Sequence, residues 1–134
     1  MTNSHVLPIR VYYEDTDTGG IVYYANYLKF AERGRTEFLR EVGLSHGDAL
    51  RIYGVGFAVR RCNADYRVPA VLDDLLEVET RLESVTGARI EMTQTIRRGD
   101  TVLVAIEVTL AMINGEGRPM RIPPAMREAI RIAA

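Results

Sequence analysis

The sequence predicts an α+β protein in which an antiparallel sheet is covered by a single long amphipathic helix. Apolar or small residues recur with helical spacing through one long segment, residues 25–42. Alternating apolar and polar residues, typical of strands, occupy the segments 55–68, 75–83, 88–97 and 101–113. The turn-length connections between these strands imply an antiparallel meander, whose apolar face needs the helix as a cover.

The chain begins with a short predicted strand at residues 6–13, in which Pro8 suits an entry or edge position. One face of the helix is small or apolar and consists of Tyr27, Phe30, Ala31, Gly34, Phe38 and Val42. The opposite face carries Lys29, Glu32, Arg33, Arg35 and Arg40. Gly43 is expected to end the helix. Gly34 lowers helix propensity, and its place on the buried face predicts a close approach to the sheet.

Each of the last three strands presents one mainly apolar face. These faces consist of Leu76, Val78, Thr80 and Leu82; of Ile90, Met92 and Ile96; and of Val102, Val104, Ile106, Val108, Leu110 and Met112. Between the helix and the first long strand, Ser45 or Asp48 is expected to cap a short helical turn. Residues 118–122 allow a further short strand, and residues 125–132 are interpreted as a terminal helix.

Composition restricts the class of protein. At 134 residues the chain is interpreted as one domain, residues 1–134. A formal net charge of −1 gives no general attraction to nucleic acid or to an anionic membrane. The single cysteine cannot form a disulfide within the chain. The first residues lack a signal-peptide pattern and no apolar stretch is long enough to span a bilayer, so the cytoplasm is the expected location.

The available residues disfavour several kinds of catalytic site. His5 in the N-terminal tail and His46 in a loop do not form a zinc site with Cys62, and the acids at 14, 15 and 17 lack calcium-loop spacing. No metal or cofactor is therefore expected. Cys62 lies in the middle of a strand, without a histidine nearby in sequence, and is interpreted as a core residue. Neither a nucleophile elbow nor a phosphate-binding glycine loop is present.

The acidic turn before the helix is the remaining candidate site. Glu14, Asp15 and Asp17 precede a glycine pair and the start of the helix. Two interpretations of the acids stay open: they are solvated turn residues bonded to local backbone, or Asp17 is a base whose pKa is raised by partial burial. Tyr23 and Tyr24 are similarly ambiguous. They are either packing residues or sources of backbone amides for an oxyanion at the helix N-terminus.

A family resemblance rests on this region. The run Glu-Asp-Thr-Asp-Thr-Gly-Gly-Ile-Val-Tyr-Tyr-Ala-Asn-Tyr at 14–27, followed by Phe30, Glu32, Arg33, Arg35 and Glu37, resembles the signature of hotdog-fold acyl-CoA thioesterases. That family includes 4-hydroxybenzoyl-CoA thioesterase and the bacterial Tol–Pal-associated thioesterases. The resemblance continues through residues 66–70 and 72–76. Tyr24 matches the 4-hydroxybenzoyl branch, whereas Tol–Pal-associated members usually have histidine there, so an association with Tol–Pal stays open.

The resemblance implies a five-stranded antiparallel sheet wrapped around one long central helix. It also implies assembly into a homodimer or homotetramer, with active sites between subunits. The catalytic aspartate of the family corresponds to Asp17, acting as nucleophile or general base, and the amide that polarises the substrate carbonyl corresponds to Tyr24. The substrate-binding positions correspond to Gly20, Ile21, Val22, Asn26 and, by a looser match to a cluster that binds the CoA nucleotide, Arg89.

The expected function is hydrolysis of acyl-CoA to the free acid and CoA. A thiol with a pKa of about 8.5 leaves easily, so the reaction needs an activated nucleophile and donors for the carbonyl oxygen. Acyl carrier protein is a further expected partner, and the acyl group is not specified. Two alternatives stay open. One is a hotdog dehydratase, disfavoured because no histidine is expected near the helix to act as base; the other is a non-catalytic protein that binds acyl-CoA or acyl carrier protein.

Overall fold

The computed structural model describes residues 4–133, and residues 1–3 at the start of the predicted tail lie outside the described residues. Its sheet has five antiparallel strands in the order β1–β3–β4–β5–β2. The strands are β1 Ser4–Arg10, β2 Val55–Tyr66, β3 Leu75–Val85, β4 Arg89–Arg98 and β5 Thr101–Asn114. The predicted α+β class and the five-stranded antiparallel sheet are confirmed, and the four long strands end within two residues of their predicted limits.

The predicted simple meander is wrong for β2. Strands β3, β4 and β5 follow one another in the sheet, but β2 pairs with β5, from Val55 opposite Asn114 to Tyr66 opposite Val104. The tight connections 86–88 and 99–100 join neighbouring strands. The longer connection 67–74 lets β2 reach the far edge of the sheet, while β1 occupies the edge beside β3.

The long helix α1 spans Asn26–Glu41 and packs mainly against β1, β3 and β4. Its buried residues are Tyr27, Phe30, Ala31, Gly34, Arg35, Phe38 and Leu39. The prediction that Arg35 lies on the solvent face of the helix was wrong, because Arg35 is buried. Leu39 lies one turn further along the same side of the helix and is buried too, so the covered arc is wider than predicted.

Gly34 allows α1 to approach the sheet closely. A Cβ atom at this position would lie 2.7 Å from Val78 Cγ1 and 3.0 Å from Thr80 Oγ1. Gly34→Ala is expected to lower the free energy of unfolding by about 1–2 kcal/mol, because the steric cost exceeds the gain in helix propensity. Urea unfolding measures the change. Gly115→Ala is the control, since a Cβ there meets open space; equal stability of both variants and wild type would contradict the packing argument.

The structure departs from the prediction in three further places. Strand β1 ends at Arg10 rather than at residue 13, because residues 13–15 form a single 3₁₀ turn. No strand forms at 118–122, where Pro119 makes one isolated bridge with Ile113. Val102 is only half-buried and Leu103 is buried instead, since the register shifts where Arg97 pairs with Val102. The predicted capped turn is confirmed as the short helix α2, His46–Asp48, in which the Ser45 hydroxyl accepts the Asp48 N–H. The terminal helix α3 is confirmed at Pro124–Ala133.

The core is divided along α1. Phe30, Leu76 and Ile96 belong to a cluster beneath the first half of the helix. Phe38 and Leu39 belong to a second cluster beneath its last turns, which Met126 and Ile130 of α3 close. The N-terminus of α1 therefore rests on a rigid support, as positioning of a site requires. None of the helices in the described part of the chain is long and apolar enough to cross a membrane.

Candidate active site

A tight turn between Thr16 and Val22 presents Asp17. Thr16 and Val22 form an antiparallel bridge. The Asp17 N–H donates to the Ile21 carbonyl at 2.9 Å, and the Gly20 N–H donates to the Asp17 carbonyl at 3.1 Å. Gly20 has a φ of 83°, a conformation that glycine adopts without strain. The backbone therefore fixes where Asp17 points.

One oxygen of the Asp17 carboxylate is held and the other is available. Oδ1 accepts the Gly19 N–H at 2.8 Å, while Oδ2 accepts no hydrogen bond from residues 4–133. Asp17 is exposed and borders a shallow depression of about 570 Å³ together with Tyr13, Thr18 and Leu72. Asp17 therefore bonds to local backbone through one carboxylate oxygen and keeps the other oxygen free, so it has features of both interpretations drawn from the sequence. The partial burial considered from the sequence would have to come from a surface outside this chain.

Hydrogen bonds tie the acidic turn to the start of α1. The Asp15 carbonyl accepts the Tyr23 N–H at 3.0 Å and the Asn26 side-chain amide at 2.8 Å. The Asp15 carboxylate accepts the Tyr12 N–H at 2.8 Å. Asp15 and Asn26 therefore hold the turn in place, and Glu14 is exposed beside them.

The start of α1 keeps unpaired amide groups next to this turn. Its N-cap residue is Ala25, which has no side chain that could accept a hydrogen bond. The N–H groups of Tyr24 and Ala25 donate to no acceptor among residues 4–133. Unpaired N–H groups at a helix N-terminus, reinforced by the helix dipole, favour an anionic oxygen. This arrangement suits a developing oxyanion.

Tyrosine rings surround these amides. The ring centroid of Tyr24 lies 5.0 Å from that of Tyr23 and 5.9 Å from that of Tyr66 at the end of β2. Tyr27 is 5.9 Å from Tyr66 and is buried. Burial raises the pKa of the Tyr27 phenol, although the hydrogen bond from the Ala70 N–H opposes the shift. The Tyr27 hydroxyl accepts that N–H at 2.9 Å, so Tyr27 links α1 to the 67–74 connection.

Tyr27→Phe is expected to lower the free energy of unfolding by about 1–3 kcal/mol, because the buried Ala70 N–H loses its acceptor. Chemical denaturation measures the loss. Tyr13→Phe is the control, since Tyr13 is 84% exposed and its hydroxyl makes no hydrogen bond with residues 4–133. Unchanged stability of Tyr27→Phe would show that this link does not support the site.

The 67–74 connection supports the turn from behind. The Val22 N–H donates to the Ala70 carbonyl at 2.9 Å, and Ile21 bridges Val71. The carboxylate of Asp74 accepts the Val71 N–H at 2.9 Å and an Arg98 N–H at 2.6 Å. Burial raises the pKa of Asp74, but these hydrogen bonds outweigh burial and hold the pKa below its usual value.

The predicted substrate-binding residues do not all meet. Gly20 and Ile21 lie on the Asp17 turn and are exposed, whereas the Val22 side chain is buried in the core. Arg89 is at the start of β4, and Arg98, which contacts the Asp74 segment, is at its end. Nine residues of strand separate them by about 30 Å. Within one chain, Arg89 is therefore not beside Asp17.

Several predictions about other reactive residues were wrong. Cys62 is exposed rather than buried in the core. His5 lies in β1, with Nε2 3.2 Å from a Glu41 oxygen. His46 Nε2 lies 3.0 Å from Thr36 Oγ1 of α1, so a histidine does lie beside the helix. The chain reverses at Gly43, which has a φ of 88°, and this brings His46 back onto α1. Gly43, which was predicted to end the helix, was the sequence feature that could have indicated this reversal.

Within residues 4–133, no three side chains of His, Cys, Asp or Glu come together as metal ligands. The arrangement described above instead combines a carboxylate, unpaired amides and aromatic rings. Such a set can activate water or attack a carbonyl carbon, and can stabilise an oxyanion.

Comparison with known proteins identifies the family. The model of the thioesterase-like superfamily matches residues 11–130. The acyl-CoA thioesterase YbgC of Haemophilus influenzae is 41% identical over 130 residues, 96% of each chain. The acyl-CoA thioester hydrolase YbgC of Escherichia coli O6:H1 is 42% identical over 118 residues, 87% of this chain and 84% of that protein. A crystal structure of a probable thioesterase from Bartonella henselae is 43% identical, with a TM-score of 0.86 and coverage of 90% of this chain and 99% of that one. The chain therefore belongs to the thioesterase-like superfamily and has its hotdog fold.

Proposed function

We propose that this chain hydrolyses acyl-CoA thioesters to the free acid and CoA. The observation that carries the proposal is the unpaired Tyr24 N–H at the start of α1, on the segment that follows the Asp17 turn directly. The two similar proteins that are named as acyl-CoA thioester hydrolases support the choice of substrate. Acyl carrier protein presents the same thioester bond and is a second candidate donor.

In the proposed reaction, the thioester carbonyl oxygen accepts the Tyr24 N–H. The free oxygen of Asp17 takes a proton from water while the water oxygen bonds to the carbonyl carbon, or Asp17 attacks that carbon itself and water then cleaves the anhydride. The C–S bond breaks as the carbonyl re-forms, and CoA leaves as a thiolate. Because a thiol has a pKa of about 8.5, this departure needs little help from a general acid.

The neighbouring residues shape this site in different ways. Gly20 and Ile21 are exposed and give the substrate room to approach the turn. The buried side chain of Val22 anchors the turn in the core, and Asn26 fixes the turn to α1. Arg89 lies far from Asp17 in one chain, and in the proposed arrangement it reaches the CoA nucleotide from a second copy. The proposal therefore includes a homodimer or homotetramer, in which the second copy also covers Asp17.

Thiol release from a panel of short, long and aromatic acyl-CoAs tests the proposed function. We expect turnover of at least one class, at rates that follow enzyme concentration. Thermal stabilisation by CoA thioesters without thiol release would contradict hydrolysis and support the non-catalytic binding alternative. Sedimentation of the same preparation tests the oligomer, and a monomer that is fully active would contradict the two-copy site.

A further inference from the structure

The depression beside Asp17 adjoins a second depression on the same surface. Tyr13 and Leu72 line the depression of about 570 Å³ that Asp17 borders. The same two side chains also line a neighbouring depression of about 600 Å³, together with Tyr12, Glu14 and Asp73. A substrate group that extends from Asp17 on this side therefore meets Tyr13 and Leu72 first, and the second depression after them.

The side chains at this junction are large, apolar and exposed. Tyr13 is 84% exposed, Tyr12 is 62% exposed and Leu72 is 44% exposed. Single exposed apolar side chains are ordinary, whereas adjoining ones form a patch that another apolar group can cover. The patch borders the residue proposed to act on the thioester, so the acyl group of the substrate is the nearest apolar group that could cover it.

Hydrogen bonds hold the backbone beneath both side chains. The Tyr13 carbonyl accepts the Thr16 N–H at 3.1 Å and the Thr16 hydroxyl at 2.8 Å. Next to Leu72, the Asp73 carbonyl accepts an Arg10 N–H at 2.8 Å. Backbone that is already ordered lowers the entropic cost of binding a ligand.

The backbone at Asp73 is strained. Its φ of 72° is the only positive φ of a non-glycine residue in the described part of the chain. Aspartate tolerates this left-handed conformation better than most residues, but the conformation still has an energetic cost. Such strain persists where the surrounding structure enforces it, and it is concentrated at ligand sites. Here it directs the chain around the second depression.

Two carboxylates border the second depression. Glu14 and Asp73 are both exposed, and none of the residues that line this depression is basic. Arg10 donates to the backbone carbonyl of Asp73 and is not part of the lining. The two carboxylates repel anions, so this side of Asp17 disfavours the phosphates of CoA. The acyl group is the part of the substrate that fits here.

We infer that Tyr13 and Leu72 contact the acyl group of the substrate, and that Glu14 and Asp73 disfavour acyl groups that end in a carboxylate. This inference rests on the proposed function and names the residues that set its acyl preference. The carbonyl carbon lies at Asp17, and the methylene groups pass over Tyr13 and Leu72. The far end of a longer chain then enters the second depression.

A comparison of octanoyl-CoA with butanoyl-CoA tests the apolar contact. Wild-type protein is expected to favour octanoyl-CoA in kcat/KM by about tenfold, because the longer chain removes more apolar surface from water. Tyr13→Ser and Leu72→Ser should each lower this ratio by about threefold or more, through KM rather than kcat. Tyr13→Phe keeps the ring and should keep the ratio. Leu50→Ser is the matched control, because Leu50 is 63% exposed and lines neither depression.

A comparison of octanoyl-CoA with octanedioyl-CoA tests the charge at the far end. Wild-type protein is expected to have an about fivefold lower kcat/KM for octanedioyl-CoA at low ionic strength, and salt should reduce the difference by screening the exposed charges. The double variant Glu14→Gln with Asp73→Asn should remove most of the difference. Asparagine also tolerates the positive φ at this position, so the melting temperature should not change.

Three outcomes would overturn the inference. One is a wild-type ratio of octanoyl-CoA to butanoyl-CoA that survives in both serine variants. Another is an equal loss at both chain lengths. Recovery of that loss with N-acetylcysteamine thioesters would assign Tyr13 and Leu72 to the CoA arm, and a change in sedimentation would assign them to a contact with a second copy. The third is equal kcat/KM for octanoyl-CoA and octanedioyl-CoA in wild-type protein at low salt.

Thermal shifts separate this inference from the proposed function. Stronger stabilisation by octanoyl-CoA than by butanoyl-CoA that is lost in Tyr13→Ser, in a protein that releases no thiol, would support the acyl contact and contradict hydrolysis. Turnover of all three thioesters without any dependence on Tyr13 or Leu72 would support hydrolysis and contradict the acyl contact.

Discussion

Asp17→Asn is expected to lower kcat for acyl-CoA hydrolysis by about two to four orders of magnitude. The carboxamide keeps an oxygen that can accept the Gly19 N–H, which is bonded to Asp17 at 2.8 Å in the wild type. The turn should therefore keep its conformation, and the melting temperature should not change. The variant has no carboxylate to take a proton from water or to attack the carbonyl carbon. Thiol release at saturating acyl-CoA measures the effect.

Asp15→Asn is the matched control for this variant. Its carboxylate also accepts a backbone N–H, that of Tyr12 at 2.8 Å, but its role is to hold the turn. We expect its kcat to stay within about twofold of wild type. Equal losses in the two variants, or unchanged turnover in a folded Asp17→Asn, would contradict the role assigned to Asp17.

Tyr24→Pro is expected to lower kcat by about two to three orders of magnitude, because proline has no N–H to donate to the oxyanion. The Tyr24 N–H has no acceptor among residues 4–133, so its removal breaks no hydrogen bond within the described structure. Steady-state thiol release at saturating acyl-CoA tests the prediction. Circular dichroism should show an unchanged helix content.

Two further substitutions separate the amide of Tyr24 from its side chain. Tyr24→Phe keeps the ring and the N–H, and Tyr24→Ala keeps the N–H but loses the ring contacts with Tyr23 and Tyr66. Both should retain far more activity than Tyr24→Pro. A Tyr24→Ala variant as slow as Tyr24→Pro would place the function in the side chain instead.

The elements of this fold could be predicted because their signals are local. Helical spacing located α1, and alternation located β3, β4 and β5. The predicted close approach at Gly34 is confirmed by the 2.7 Å separation between its hypothetical Cβ and Val78. The pairing of β2 with β5 could not be predicted in the same way, since it depends on where a longer connection leads.

Burial was harder to predict than secondary structure. Arg35 is charged, so the sequence pattern predicted that it faces solvent. In the structure, the orientation of α1 directs Arg35 towards the buried Gln94, to which it donates a hydrogen bond. Cys62 is apolar and was placed inside, yet it is exposed at the edge strand. Both outcomes depend on where α1 lies across the sheet, which the helical period does not specify. Whether further subunits cover these residues is likewise not encoded in a local pattern.

Only those parts of the candidate site that lie close together in the sequence could be predicted. Asp17, Gly20 and Tyr24 are close in sequence, so a turn followed by a helix start had to bring them near one another. The role of Asn26 in holding the Asp15 carbonyl follows from the same proximity. Arg89 and His46 are distant in sequence, and their positions depend on tertiary structure. The structure leaves Arg89 far from Asp17 and brings His46 onto α1.

A crystal structure of Asp17→Asn with an uncleaved acyl-CoA would test the central claim most directly, through the distance from the Tyr24 nitrogen to the thioester carbonyl oxygen. The account predicts a hydrogen bond of about 2.7–3.2 Å, with the side chain at position 17 facing the carbonyl carbon. A thioester bound with its carbonyl oxygen away from the start of α1, and with position 17 facing solvent, would contradict it.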